Sequence, residues 1–439
     1  MQLRRFEVDR LFGLFDHAFD FPEPSEDDPR PAVVVLHGPN GVGKTTILRM
    51  LEGMMTLSFG PFRRAPFAEA RLTLNTGSTI SVARESEPDH LLVTFDGHAT
   101  RLNATHSGSL EASDRATTEK LRSVFFEATR SVKLELLETR RIESLHEALR
   151  EAIEATEHAG RYARTEYYPR AAHQQYELFR PGAHAPELPP QLKRRRTKRR
   201  RGPGSALSSR VSEFIREAQL NHRRFFLGSE AELFPKMLER LSATKAPDVS
   251  AESILNRLQA LDNRERKIKR LGLAVDAWDF QQLAQRLQAV PGLRDYALAA
   301  VDSYAEFLES RIEQRWLVAE RLFTFEAVLE RFLQAKTVRV NADRGLEIES
   351  LTGAPLAEWM LSSGEYHLLY LMVSALTTQR RGTVLLIDEP EMSMHLAWQR
   401  QLVRGLLECA SKAQPQLILA THSPDIAAGF EDQMVDLGE

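Results

Sequence analysis

The chain has 439 residues, of which 42% are hydrophobic and 27% are charged, and its formal net charge is −3. This composition is typical of a globular protein with two or three domains, at about 150 residues per domain. The small net charge does not indicate binding to nucleic acid or to a membrane. The one cysteine, Cys409, excludes an internal disulfide and a cysteine-rich zinc site, and we expect it to be a small buried residue. The sequence has neither a secretory signal nor a run of about 18 apolar residues, so we expect a cytoplasmic protein without membrane contact.

Strand patterns dominate the first part of the chain. Residues Ala32 to Leu36 form a continuous apolar run, typical of a strand buried on both faces, and helical spacing follows over Thr45 to Met54. Short β-rich runs separated by turn residues then predict an antiparallel lobe, at 71–74, 79–83 and 91–95. A helix over 121–126 and a strand over 132–137 are predicted next.

Helical periodicity replaces these strand patterns from residue 143 to residue 336, which predicts a helical insertion. We predict helix N-caps at Ser229 and Ser250. After Ser229, the spacing predicts an apolar face that includes Phe234 and Leu238. The chain is thereby divided into 1–142, 143–336 and 337–439.

The longest helical pattern of the insertion begins near Pro291 and continues beyond Phe325. A helix of about 40 residues would be about 60 Å long at 1.5 Å per residue. We predict that it can break near Phe323 and Thr324. Its length fits a projecting arm, such as a coiled coil, and it fits the core of a helical subdomain equally well.

A basic run occupies residues 193–201 of the insertion, where eight of nine residues are lysine or arginine. Like charges at this density repel one another, so a fixed helix is not expected. The run is suited to salt-sensitive contact with a phosphate backbone. A solvated loop without a ligand is the alternative, because nothing in the run is suited to reading bases.

Strands return in the last part of the chain. We predict strands over 338–340 and 346–348, a helix over 366–376, and buried strands over 383–387 and 417–420. Buried parallel strands that alternate with helices indicate a three-layer α/β nucleotide-binding domain.

A phosphate-binding loop lies between the first buried strand and the first helix. It matches the pattern G-x-x-x-x-G-K-[ST], in which glycines let backbone N–H groups face the phosphates. Lys44 supplies positive charge to the phosphates, and Thr45 offers a hydroxyl to Mg²⁺. The residues expected to bind ATP here are Gly38, Pro39, Asn40, Gly41, Val42, Gly43, Lys44, Thr45 and Thr46.

Acidic and histidine side chains follow the two later buried strands. Asp388 is placed to hold Mg²⁺ together with Thr45, and Glu389 to polarise the attacking water. His422 ends the strand over 417–420, where we expect it to contact the γ-phosphate. The expected catalytic residues are Lys44, Glu389 and His422.

Together with the run Leu361 to Glu365, these residues resemble the ABC-type ATPases, in which that run is the signature motif. The long insertion is similar to the SMC and RecF branch. The run Asp388 to His395 and residues 11–17 resemble the defence ATPases of prokaryotic operons, and most closely those of PARIS-type antiphage systems. The resemblance implies a P-loop ABC-type ATPase head, with ATP and Mg²⁺ as ligands.

The resemblance also implies how two chains meet. In the ABC-type ATPases the signature motif contacts the nucleotide of a second subunit, so Ser362, Ser363, Gly364 and Glu365 are expected to close the ATP site of a homodimer or a larger assembly. Ser393 and His395 are expected in the loop that joins the two sites. Three positions depart from the family: Ser363 replaces a glycine, Glu365 a glutamine, and Arg140 or Arg141 the glutamine of another loop.

For function, the resemblance implies an ATPase that controls a separate effector, a TOPRIM-type nuclease released by a phage protein. The chain extends only a short way beyond His422, so we expect that effector to be another protein. A DNA-repair or chromosome ATPase that contacts DNA through 193–201 is the alternative. A nucleotide-locked scaffold with negligible turnover is a third reading, and a transporter ATPase is disfavoured by the long insertion.

Overall fold

The computed structural model describes residues 2–22, 32–85, 90–104, 110–112, 115–130, 132–162, 206–242, 250–273, 285, 295–378, 382–410 and 413–438. In these residues the fold is mixed α/β, with a parallel sheet, an antiparallel sheet, a small third sheet and ten α-helices. The predicted fold class is confirmed. No helix in this part of the chain is long and apolar enough to cross a membrane.

Five parallel strands form the central sheet, in the order β15-β3-β14-β13-β9. Their bounds are β3 Val33–His37, β9 Lys133–Glu138, β13 Thr383–Asp388, β14 Gln416–Thr421 and β15 Met434–Asp436. Successive side chains of β3 enter different cores. Val33 and Val35 pack with the helices, whereas Val34 and Leu36 pack towards the antiparallel sheet. Burial of both faces explains the continuous apolar runs of the sequence.

The antiparallel lobe is confirmed and is larger than the three predicted runs. Seven strands follow the order β2-β1-β4-β5-β6-β7-β8. They are β1 Leu3–Leu11, β2 Phe15–Asp20, β4 Glu69–Leu74, β5 Thr79–Arg84, β6 His90–Phe95, β7 His98–Ala104 and β8 Leu110–Ala112. The helices of this half are α1 Lys44–Thr56, α2 Gly60–Arg64 and α3 Arg115–Thr129. The apolar side of α1 lies in the core between the two sheets.

Four long helices lie among the described residues between Thr139 and Phe332, and the last of them belongs to the core. They are α4 Thr139–Tyr162, α5 Ala206–Ser242, α6 Ala251–Arg270 and α7 Asp295–Phe332. Helix α7 packs against α5 and α6, and then against two helices of the last part of the chain, at 363–377 and 396–409. Its buried residues recur at helical spacing: Ala305, Leu308, Ile312, Ala319, Leu322, Phe325, Val328 and Leu329. The described part of this helix is therefore a subdomain core and not a free arm.

Two local predictions within these helices are wrong. Ser229 is not an N-cap, because α5 continues through it, and Phe234 and Leu238 are 68% and 48% exposed. Helix α7 does not break near Phe323 and Thr324, since the neighbouring Leu322 and Phe325 are fully buried. Tertiary packing outweighs the weak helix propensity of threonine there.

The N-cap at Ser250 is confirmed, because its hydroxyl accepts a hydrogen bond from the N–H of Ser253 at 3.1 Å. Cys409 is fully buried, as predicted. The basic run 193–201 and the predicted helix start at Pro291 lie outside the described residues. The domain boundaries remain a prediction.

A small sheet leads from α7 to the signature motif. Its antiparallel strands are β10 Lys336–Asn341, β11 Gly345–Ser350 and β12 Pro355–Leu356. The remaining helices are α8 Ser363–Thr377, α9 Leu396–Cys409 and the short α10 Pro424–Ala427. Because β3, β13 and β14 are adjacent and parallel, their carboxyl ends bring the phosphate loop, Asp388 and His422 to one edge of the sheet.

Candidate nucleotide-binding site

The phosphate loop is closed around the N-terminus of α1. Gly43 has a φ of 104°, a backbone conformation that favours glycine, and a Cβ there would lie 2.4 Å from Leu11 Cδ2 and displace that side chain. The Nζ of Lys44 donates hydrogen bonds to the carbonyl oxygens of Gly38 and Pro39, at 2.8 and 2.9 Å. No side chain caps α1, so its first N–H groups are available to an anion.

Lys44 also determines which ring nitrogen of a neutral His422 carries the proton. The ammonium has only donors, and its Nζ lies 3.2 Å from His422 Nδ1. Nδ1 must therefore accept, which places the proton of the neutral ring on Nε2, where it can be donated to a phosphate oxygen. Burial lowers the pKa of Lys44, and the nearby charges of Glu389, Glu391 and Asp388 oppose this effect.

Thr45 and Asp388 form a direct pair across two elements. The Thr45 hydroxyl donates to Asp388 Oδ1 at 2.9 Å. Asp388 is 8% exposed, and burial raises its pKa to about 6, although the bond from Thr45 lowers it. Glu389 and Glu138 add to the rise by repulsion. A buried carboxylate whose charge is not balanced, next to a hydroxyl, is an oxygen donor set that suits a hard divalent cation.

Glu389 has a strained backbone at the end of β13. Its φ is 50°, a region that non-glycine residues seldom adopt. Its N–H donates to the carbonyl of Ala420 at 2.8 Å, and its carbonyl accepts from Thr139 Oγ1 at 2.8 Å. Its Oε2 lies 3.8 Å from the Nε of Arg140, one of the two arginines that stand where the resemblance implies a glutamine. A cation therefore lies beside the expected catalytic carboxylate.

Glu391 is a site residue that the sequence interpretation did not single out. Its Oε1 accepts the backbone N–H of His422 at 2.7 Å, which ties the loop after β13 to the loop after β14. Its Oε2 is buried and has no hydrogen-bond partner among the described residues. Glu391 therefore helps to set the position of His422. The only sequence signal was its place in the acidic run that follows β13.

The signature motif lies at the N-terminus of α8, away from the phosphate loop of its own chain. Ser362 and Glu365 form a capping box: the Ser362 hydroxyl accepts from the N–H of Glu365 at 3.3 Å, and Glu365 Oε2 accepts from the N–H of Ser362 at 2.8 Å. Glu365 also pairs with Lys336, the first residue of β10. Ser362 and Ser363 are exposed, and the hydroxyl proton of Ser362 is still available to a ligand.

The motif also contacts the loop after the acidic pair. A Cβ on Gly364 would lie 2.1 Å from the carbonyl oxygen of Ser393, so this glycine is required for packing within one chain. The Ser393 hydroxyl donates to Glu143, and His395 caps α9 by accepting from the N–H of Ala397. Among the described residues, no hydrogen bond or ion pair joins Ser362–Glu365 to the phosphate loop.

The tip of the hairpin between β1 and β2 lies over the phosphate loop. A Phe12 ring carbon would be 3.5 Å from a Cβ on Gly43, and the Phe12 side chain is 36% exposed. His17, on β2, lies with Nε2 3.1 Å from the carbonyl oxygen of Val42. The hairpin thus places an exposed aromatic ring beside the expected phosphate site.

Comparisons with solved structures found similar SMC heads. One is the Smc head domain with an extended coiled coil, bound to the C-terminal domain of ScpA, from Pyrococcus furiosus; it is 12% identical, the alignment covers 97% of this chain and 91% of that chain, and the TM-score is 0.37. The SMC head domain from Thermotoga maritima is 11% identical over 98% and 92%, with a TM-score of 0.35. Scores this low support no argument about function. No curated protein matches the chain.

A family model gives the assignment. The model described as "AAA domain, putative AbiEii toxin, Type IV TA system" matches residues 33–428. The match begins at β3 and includes the phosphate loop, the acidic pair, the signature motif and His422. The chain therefore belongs to this family of AAA-type ATPase domains.

Proposed function

We propose that the chain binds ATP with Mg²⁺ at Gly38–Thr46 and hydrolyses it with Glu389. The observation that carries the proposal is the meeting of Lys44, Thr45, Asp388 and His422 at one edge of the sheet through hydrogen bonds of 2.9 and 3.2 Å. These residues lie at the start of α1, at the end of β13 and directly after β14, and their chemistry is that of phosphoryl transfer.

Each residue has one task in this proposal. Lys44 gives up its carbonyl partners and pairs with the β- and γ-phosphates. His422 donates from Nε2 to the γ-phosphate. Glu389 accepts a proton from the attacking water once its carboxylate leaves Arg140. Thr45 and Asp388 would hold Mg²⁺, which neutralises charge on the phosphates when bound.

An aromatic contact to the base completes this proposal. Phe12 lies at the end of the phosphate loop nearest α1, where its exposed ring can stack on a purine. Its φ of 57° is unusual for a bulky residue, so the hairpin turn presents the ring at the cost of backbone strain.

The complete site needs a second chain. Ser362 is exposed, and among the described residues its hydrogen bonds are those of its own capping box, in which Glu365 also pairs with Lys336. Its hydroxyl can therefore meet the nucleotide of a second subunit. We infer a homodimer in which each signature motif closes the partner's ATP site. Dimerisation would then depend on ATP, because the γ-phosphate joins the two surfaces.

A complementation experiment tests this arrangement. Ser362→Asp keeps an N-cap but places negative charge against the γ-phosphate, and Ser362→Asn is the neutral control of the same shape. Lys44→Ala and Ser362→Asp should each be inactive, whereas a one-to-one mixture should regain about a quarter of the wild-type activity, because half of the dimers have one intact site. A mixture as inactive as its parts would refute the trans site. Gly364 is unsuitable for this test because of its packing on Ser393.

For the biological role, we propose that the ATP-bound dimer controls a separate effector in antiphage defence. The family description, with its putative AbiEii toxin and type IV toxin–antitoxin system, supports this role. The resemblance to PARIS-type ATPases implies a TOPRIM-type nuclease as effector and a phage protein as trigger. The test is co-purification with the product of the adjacent gene, followed by phage challenge with Lys44→Ala. If cells that carry the Lys44→Ala variant were still protected against phage, the proposed role in antiphage defence would be contradicted.

Binding to DNA is the second candidate function, and the basic run 193–201 favours it. Eight positive charges in nine residues would release counterions from a phosphate backbone. Replacing the eight basic residues by serine should weaken DNA binding and reduce its salt dependence. Equal affinity and equal salt slope before and after replacement would exclude this candidate.

A further inference from the structure

A buried histidine of the signature helix lies against the loop that carries the acidic pair. His367, in the second turn of α8, is 0% exposed. Its Nδ1 lies 3.2 Å from the carbonyl oxygen of Met392, and its Nε2 lies 3.1 Å from Thr139 Oγ1. A carbonyl oxygen can only accept, so Nδ1 carries the proton and Nε2 of the neutral ring is an acceptor.

The hydroxyl of Thr139 is shared between this histidine and the acidic loop. Thr139 Oγ1 lies 2.7 Å from the carbonyl oxygen of Asp388 and 2.8 Å from that of Glu389. One hydroxyl proton therefore faces three acceptors. Burial lowers the pKa of His367 to about 4, so the ring is neutral near pH 7 and has no second proton to offer. How strongly the Thr139 hydroxyl bonds to the carbonyl oxygens of Asp388 and Glu389 thus depends on its distance from His367, which the position of α8 sets.

This hold matters because the backbone of Glu389 is strained. A non-glycine residue with a φ of 50° stays there only when its neighbours fix it. Its restraints include the bond from the Glu389 N–H to the carbonyl of Ala420, and the bonds that the Glu389 carbonyl accepts from Thr139 Oγ1 at 2.8 Å and from the N–H of Met392 at 3.2 Å. Since Ser362 caps the same α8 that carries His367, the Thr139 hydroxyl links the signature helix directly to the backbone that orients Glu389.

We propose that His367 and Thr139 are positioning residues that couple the signature helix to the catalytic glutamate within one chain. When the nucleotide of a second subunit contacts Ser362, α8 moves relative to Thr139. The Thr139 hydroxyl then distributes its hydrogen bond differently among His367 Nε2 and the carbonyl oxygens of Asp388 and Glu389. The backbone of Glu389 is then held differently, so occupancy of one ATP site alters turnover at the other. This inference rests on the proposed trans arrangement.

The first test removes the shared hydroxyl. Thr139→Val keeps the shape and loses the hydroxyl, and Thr139→Ser restores it. Thr129→Val is the matched control, because that buried hydroxyl donates to Phe125 within α3, outside the site. We expect Thr139→Val to lower kcat about tenfold with the Kd for ATP within about twofold, while the other two variants stay near wild type. A wild-type kcat in Thr139→Val would overturn the inference.

The second test asks whether the two residues act together. His367→Asn keeps a donor near Met392 but is too short to reach Thr139. In a double-mutant cycle for kcat, His367→Asn combined with Thr139→Val should lose no more than Thr139→Val alone. The dependence of the rate on ATP concentration should be cooperative in the wild type and hyperbolic in His367→Asn. Losses that multiply, or unchanged cooperativity, would show that the residues do not form a link.

A third measurement separates this inference from the proposed hydrolysis. Hydrogen exchange of the peptide 388–395 is followed without nucleotide. Thr139→Val and His367→Asn should exchange about tenfold faster than wild type, and Thr129→Val should not. Equal exchange in all four proteins would refute the link. A wild-type chain that binds ATP without hydrolysing it would contradict the proposed function alone, because exchange reports the link independently of turnover.

Discussion

Replacing Asp388 by asparagine should stabilise the nucleotide-free chain and abolish its Mg²⁺-dependent ATPase activity. The carboxyl group is 8% exposed, and burial is the main reason why its pKa is raised to about 6. Glu389 and Glu138 repel its charge further, whereas the bond from Thr45 and the positive charge of Arg49 oppose the rise in its pKa. A neutral amide of the same shape avoids the cost of the buried charge but loses the ligand for the cation.

The magnitude of this stabilisation follows from the shift in the pKa of Asp388. The pKa rises from its ordinary value of 3.8 to about 6, and one unit corresponds to about 1.4 kcal/mol, so the ionised carboxylate costs about 3 kcal/mol in the folded chain. The folded state binds the proton more tightly than the unfolded state. Stability therefore falls as the pH rises from about 4 to about 6, and the full cost is present above that range. By the same linkage, the advantage of Asp388→Asn should be about 3 kcal/mol at pH 8 and about 1.6 kcal/mol at pH 5.

Urea unfolding of the nucleotide-free protein at pH 5 and pH 8 measures this difference. Asp432→Asn, the same chemical change on an exposed turn, is the control and should show little change at either pH. If Asp388→Asn were no more stable than wild type at pH 8, or gained equally at both pH values, the argument from buried charge would be refuted.

Three further predictions concern the ATP cycle. Lys44→Ala should abolish ATP binding in calorimetry, because the phosphates lose their main cation, whereas Glu389→Gln should still bind ATP and accumulate as a dimer in light scattering. Lys336→Met leaves Glu365 without its cation and loosens the capping box, so kcat should fall about fivefold, equivalent to about 1 kcal/mol, with an unchanged Kd for ATP. Phe12→Ala should raise the Kd for ATP about fivefold, and Phe12→Tyr should preserve it; equal affinity in both would exclude stacking on the base.

Local chemistry allowed much of this site to be predicted from sequence. Neighbouring residues specify the glycines of the phosphate loop, the apolar strands β3 and β13, and the acidic pair at the end of β13. The predicted N-cap at Ser250 was also correct, because a cap depends on residues within one turn. The wrong N-cap at Ser229 used the same kind of signal, but there the helix continued, and local propensity is a weak guide when a long helix is packed.

Other parts of the site depend on contacts between distant segments, which local pattern does not encode. Thr139 and His367 have no sequence signal of their own, and Glu391 has only its place in the acidic run near the end of β13. All three matter because the sheet order brings β9, β13 and β14 together with α8. The length of α7 likewise fits either a projecting arm or a subdomain core, and its burial against α5 and α6 shows that it is a core helix. The sequence by itself therefore determined the fold class and predicted the candidate phosphate loop. Only the tertiary structure decided how the signature helix reaches Glu389, because hydrogen bonds such as that between His367 and Thr139 join residues far apart in the chain.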